Sequence, residues 1–230
     1  MRPAVLFSVL VGLASGVFAF VSDAGFAQNA AKGGAGGAQV FTVPRKPLTL
    51  AEKGEMKRVS DYLNTIRSVQ GRFTQLAANG RSVQGTFYLR KPGRIRFEYD
   101  KPNPILIVAD GSSVAVSNSQ LKTTDRYPLI NSPLRLLLSD NTDLTSDSRI
   151  TDIKKEPGIL SFTARETVGP ARGSITLTFA DSGQLELRQW DVMDAQGMRT
   201  TIALNEVRQT PNIPPTMFVI QELSPFKRNN

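Results

Sequence analysis

The sequence predicts a mainly β fold with a few helices, organised around one curved antiparallel sheet. Three observations lead there. From Gly71 onward, apolar residues recur with a period of two over most of the chain. The strand-like runs follow one another at hairpin spacing with Gly-containing turns between them, which indicates an antiparallel sheet and not a doubly wound α/β fold. Helical periodicity is confined to short stretches. A large sheet with so few helices either closes into a barrel or curls to leave a concave face. Helices too few to cover that face leave an apolar hollow, a space suited to apolar ligands.

The elements follow in order along 230 residues, a length suited to one domain plus a targeting segment. Met1-Arg2, the uncharged stretch Ala4 to Phe20 and the small residues after it read as a secretory signal. Cleavage fits after Ala19 or after Ala27. Ala27 is favoured, because Gln28 then opens a polar segment, and residues 1–27 become the signal peptide. An uncleaved membrane anchor is the alternative, since the apolar run approaches spanning length. No Cys follows either site, which argues against a lipid anchor. Residues 28–47 read as a flexible Gly/Ala-rich arm and residues 48–230 as the folded domain.

Thr49 and Glu52 have the spacing of a capping box, and Met56, Val59, Leu63 and Ile66 then share one face of a helix. Strands are expected over Arg72–Leu76, Val83–Arg90, Arg94–Tyr99, Ile105–Ala109 (apolar on both faces), Val114–Val116 and, more weakly, Leu121–Tyr127. Ser132-Pro133 followed by Leu134, Leu136, Leu137 and Leu138 suits a short helix with Pro in its first turn. The later strands are Ile159–Ala164, Ser174–Ala180, Leu185–Met193 and Met198–Val207, with hairpin loops at Asp181-Ser182-Gly183 and Ala195-Gln196-Gly197. A Pro-rich segment, Ile213 to Phe218, lies near the end.

Composition narrows the chemistry. The chain has neither Cys nor His, which removes thiol nucleophiles, Cys-based metal sites and any Ser-His-Asp arrangement. Asp140, Asp143 and Asp147 lack the Gly and closing Glu of a calcium loop and read as a solvated loop. We find no catalytic constellation and expect no enzyme, cofactor or metal. The net charge of +8 is compatible with nucleic acid, an anionic membrane or an acidic partner, or simply with a solvated basic surface. In RIRFEYDK, period two sets Phe97 and Tyr99 on the face opposite Arg94 and Arg96, so the stretch cannot grip a nucleic-acid strand. Its apolar face is expected to line the hollow, with Arg94, Arg96 and Glu98 facing water.

Phe73-Thr74-Gln75, Gly85-Thr86-Phe87-Tyr88-Leu89-Arg90-Lys91-Pro92-Gly93, Phe97-Glu98-Tyr99 with Pro102, Ala109-Asp110-Gly111 and Asn131-Ser132-Pro133-Leu134 together resemble the periplasmic lipoprotein carrier family, LolA. The resemblance implies an unclosed β-barrel covered by an α-helical lid. It also implies a periplasmic protein that holds lipoprotein acyl chains in an apolar cavity and shuttles them from the inner to the outer membrane. The implied partners are acylated lipoproteins, an inner-membrane ATP-driven transporter and an outer-membrane acceptor, approached by a monomer that passes close to membranes. Carried onto this sequence, Ile95 and Phe97 line the cavity. The wider candidate wall is Phe73, Phe87, Leu89, Tyr99, Ile107, Val114, Val116, Ile175, Leu177 and Phe179. The lid would comprise Val59, Leu63 and Ile66 with Leu134, Leu137 and Leu138. Lys91 takes the place of a basic lid latch that is usually Arg in the family, with Arg90 available to share the task; Lys cannot make Arg's forked bonds. Two other functions stay open at this point: carriage of another lipid or acylated molecule, and a non-carrier envelope protein that senses or binds lipoproteins.

Overall fold

The computed structural model describes residues 47–167 and 172–223; the expected signal peptide (1–27) and all but the last residue of the expected arm (28–47) lie outside them. Helix α1 spans Leu50–Thr65, and Thr49 caps it with the expected box: its hydroxyl accepts from the Glu52 amide while the Glu52 carboxylate accepts from the Thr49 amide. Six strands follow as a meander: β1 (Ser68–Leu76), β2 (Ser82–Arg90), β3 (Arg94–Tyr99), β4 (Ile105–Asp110), β5 (Ser113–Asn118) and β6 (Thr123–Pro128). A 3-10 turn (Leu129–Asn131) leads to α2, Leu134–Leu138, which begins two residues after Ser132; the Ser132 hydroxyl accepts from the Leu134 amide. A second meander contains β7 (Ile150–Glu156), β8 (Ile159–Glu166), β9 (Gly173–Asp181), β10 (Leu185–Met193) and β11 (Arg199–Gln209).

Pairing of β1 with β11 joins the two meanders into one eleven-stranded antiparallel sheet, ordered β6-β5-β4-β3-β2-β1-β11-β10-β9-β8-β7. The outermost strands, β6 and β7, do not pair, so the sheet is an unclosed barrel. Strand β7 is absent from the sequence reading. Its residues Thr151, Asp152, Lys154, Lys155 and Glu156 are exposed; only Ile150 and Ile153 reach the core, three residues apart across a bulge, so this edge strand shows no period of two.

Register explains where the core sits. Phe87 pairs with Phe97, Leu89 with Ile95, Ile95 with Ala109, Phe97 with Ile107 and Ile107 with Val116. Partners directly opposite point to the same face, so these residues form one apolar band on the concave side. At β1–β2 the partner of Phe73 is Gly85, and the Phe73 ring lies over it. A side chain at 85 would occupy the ring's place, which is why Gly stands there.

Two expectations need correction. The convex side of β2–β4 does not simply face water. After β11 the chain crosses it, placing Ile213 and Phe218 against Val108, with Tyr88, Leu106, Met217 and Ile220 around them. Arg96 Nη1 donates to the Met217 carbonyl and Arg90 to that of Ile213. The doubly apolar β4 is thereby explained: Ile107 faces one layer and Val108 another. The concave side, in turn, is not a vacant hollow. Met56, Val59 and Leu63 of α1 and Leu134, Leu137 and Leu138 of α2 are buried against the strand residues in one core. Bare apolar surface costs about 25 cal/mol per Å² in water, so in the closed form the helices occupy the space themselves.

Candidate functional site

The concave face and its helical cover are the candidate site. Among the sequence-derived wall residues, Phe73, Phe87, Leu89, Ile95, Phe97, Ile107, Val114, Val116, Ile175, Leu177 and Phe179 are all buried in the single main core, and Tyr99 packs partly buried on its edge. The Phe73 ring meets Phe97 and Tyr99 edge-on, each at 5.1 Å between centroids. Tyr99 turns its hydroxyl to Gln75 Oε1 at 2.6 Å; burial raises the phenol's pKa, so it stays a neutral donor. The structure adds residues the reading passed over. Trp190 sits edge-on to Phe97 at 6.2 Å, and Phe162 stacks on Phe179. Phe162 stands in phase with Leu160 and Ala164, so period two marked it once the strand was drawn; Trp190 is out of phase with Leu185 and Leu187 and turns inward only because β10 bulges between Leu187 and Gln189, which the period does not show.

The cover is fastened at its ends and along its length by few polar contacts. At its N-terminal half, Arg58 bridges Glu55 (2.7 Å) and Asp181 (2.8 Å), the last residue of β9. In the middle, the Ser60 hydroxyl donates to the Met56 carbonyl and accepts from the Leu144 amide. Asn64 exchanges two hydrogen bonds with the Thr142 backbone, at 2.8 and 3.0 Å. The loop after α2, read from the sequence as merely solvated, is therefore sewn to α1. Ser60 and Asn64 are one helical turn apart on the face toward that loop.

At the C-terminal end, Lys91 Nζ donates to the Leu63 carbonyl oxygen at 2.8 Å. Two residues on, the Gly93 amide donates to the Leu138 carbonyl, so one β2–β3 turn touches both helices. Gly93 adopts a positive φ of 73°, and any Cβ there would strike Gly111 at 2.6 Å. The lysine is 7% exposed. Its desolvation, added to repulsion from Arg67 and opposed by Asp140, lowers the ammonium's pKa to about 8. Arg90 does not share this contact. Alternation along β2 turns it to the convex face, where it holds the C-terminal segment instead. Among the described residues no cluster of acidic side chains is arranged to hold a metal, and the arrangement's chemistry is that of an apolar sheet face packed under an apolar helical cover.

The family described as "Outer membrane lipoprotein carrier protein LolA" matches residues 64–221. The chain is 29% identical over 177 residues to an outer-membrane lipoprotein carrier protein of Dechloromonas aromatica, covering 74% of this chain and 84% of that one. With the corresponding protein of Pseudomonas putida strain W619 it shares 25% over 181 residues, covering 73% and 82%. A solved LolA-superfamily protein of Nitrosomonas europaea is a distant likeness, at 8% identity and a TM-score of 0.38 over 72% of this chain and 97% of that one. With a curved sheet, a helical cover and a family match running from α1 to the C-terminal segment, the chain belongs to the outer membrane lipoprotein carrier protein LolA family.

Proposed function

We propose that the protein is a periplasmic carrier that takes lipoprotein acyl chains between its concave sheet and its helices and ferries them from the inner to the outer membrane. Residues 1–27 would direct export and be removed. Loading would come from an ATP-driven transporter in the inner membrane, with delivery to an outer-membrane acceptor.

The observation that carries this reading is that apolar helix faces cover an apolar sheet and are tied down by a handful of polar contacts. An acyl chain of about 16 carbons gains on the order of 10 kcal/mol by leaving water, at about 0.8 kcal/mol per CH₂. To admit it, Met56, Val59, Leu63, Leu134, Leu137 and Leu138 must give up their present contacts. Exposing six such side chains costs about 1.5–3 kcal/mol each, on the order of 10 kcal/mol together. Gain and cost are of one size. A carrier needs that balance: it shields its cargo from water yet releases it to an acceptor without hydrolysing anything itself. Lys91, Ile95 and Phe97 are assigned as latch and wall on this reading.

Ile95→Glu tests it. A carboxylate in the middle of the concave band should abolish acyl-chain binding; because Ile95 is fully buried in the closed form, circular dichroism has to show the sheet retained before the loss is read as a binding defect. Mass spectrometry of what co-purifies from the periplasm should find triacylated lipoprotein on the parent protein. Retained binding in the variant, or a lone lipid as the only guest, would count against the lipoprotein reading.

A further inference from the structure

Away from the latch, the edge of the cover borders a small surface cleft. It separates α2 and the turn before it from the neighbouring ends of β8 and β9. Its apolar track is graded: Ile130 at the lip is 64% exposed, whereas Leu136 and Ile175 at the floor are 5% and 3% exposed and belong to the main core. Ile130 thus continues the buried apolar floor out to the surface, where an apolar chain can cover it.

The rim is polar and mostly cationic. Arg135, Arg149 and Arg165 line the cleft, with Glu166 the carboxylate among them. Arg149 is engaged through Nε and Nη2 by the Asp147 carboxylate, at 2.9 and 2.6 Å. Arg135 is exposed and feels the same carboxylate, yet its guanidinium donates to no side chain among the described residues. An apolar floor with an uncommitted guanidinium at its rim matches a molecule of two parts, an acyl chain joined to a negatively charged end. We infer that this cleft is a portal that selects lipids with an anionic headgroup, the chain lying along Ile130 and Leu136 and the headgroup meeting Arg135. The inference rests on the carrier reading, because the cleft floor, Leu136 and Ile175, belongs to the same core that reading opens to acyl chains.

The test compares two single-chain probes, lysophosphatidylglycerol and lysophosphatidylcholine, each labelled at the same chain carbon and used below its micellar concentration with the full mature protein. The anionic probe should bind about three- to tenfold tighter at low salt. That preference should shrink between about 0.05 and 0.5 M salt, as the screening length falls several-fold. Arg135→Gln, an exposed change that leaves the core untouched, should remove the preference without weakening the zwitterionic probe. Equal binding of the two probes, or a preference that survives Arg135→Gln, overturns the portal while leaving the carrier intact. Failure of both probes to bind would overturn the portal as well, whereas the carrier falls only if no triacylated lipoprotein is found on the parent protein.

Discussion

Lys91 donates its ammonium to the carbonyl oxygen of Leu63, and thereby ties the turn between β2 and β3 to the last turn of α1. The carbonyl end of a helix carries partial negative charge, so the contact is electrostatically favourable, but the lysine surrenders its water to make it. Its pKa of about 8, against an ordinary 10.5, records that the loss of hydration outweighs the gain.

The sign of the pH effect follows. With the cover lifted, Lys91 is hydrated and titrates near its ordinary value; with the cover closed, it titrates about 8. Below about 8 both forms hold the proton and the balance is flat. Between 8 and 10.5 the open form holds a proton that the closed form lacks, so rising pH favours closure, by at most about 3 kcal/mol. Affinity for an acyl probe should therefore fall more than tenfold from pH 7 to pH 10. Lys91→Arg, which cannot lose its proton in that range, should flatten the profile.

Asn64 imitates a backbone unit, pairing through both amide atoms with Thr142. Asn64→Ala should leave two buried backbone groups of the 139–149 loop without partners and cost about 1–3 kcal/mol. Hydrogen exchange should accelerate at Thr142 and Leu144 well before it does in β1 or β11.

Two glycines should respond in opposite directions. A Cβ at Gly85 would lie 2.1 Å from the Glu98 carbonyl oxygen and 2.6 Å from the Phe73 ring, and β2 cannot retreat without leaving β3. Gly85→Ala should destabilise by more than about 3 kcal/mol in a urea titration. Gly54 stands in α1 with nothing within 4 Å of its would-be Cβ, so Gly54→Ala should stabilise by about 0.5–1 kcal/mol.

Phe218 is the anchor of the C-terminal segment on the convex side, buried with Ile213 and Val108. Phe218→Ala should cost about 3 kcal/mol. The segment's far end, where Gln221 and Leu223 bond the Thr124 side chain of β6, should then exchange its amides faster.

Much of this was legible in the residues. Ile95 and Phe97 alternate with Arg94 and Arg96, and a period of two is sufficient to send the first pair inward, as found. Thr49 and Glu52 announced the start of α1 because a capping box is a local interaction, complete within one turn. What escaped was non-local. Arg90 looks equivalent to Lys91 in the sequence, and only the strand's alternation, combined with a partner 123 residues away, separates their roles. Val108 showed that β4 is covered twice, but nothing nearby in sequence named Phe218 as the cover. Ser60 and Asn64 resemble ordinary polar residues of a helix until the loop they hold is in place. Whether the concave band is bare or filled depends on how α1 and α2 are pressed onto it, and the period of a strand does not encode that.

The sheet order has one mechanical corollary. Strands β6 and β7 are joined by a single connector yet stand at opposite margins, and every ladder runs continuously from one margin to the other through β1 and β11. Spreading the margins apart ruptures no interstrand pairing. The fold can enlarge its girth by flexing, as a split ring does, and keep its whole lattice of backbone bonds while its contents change.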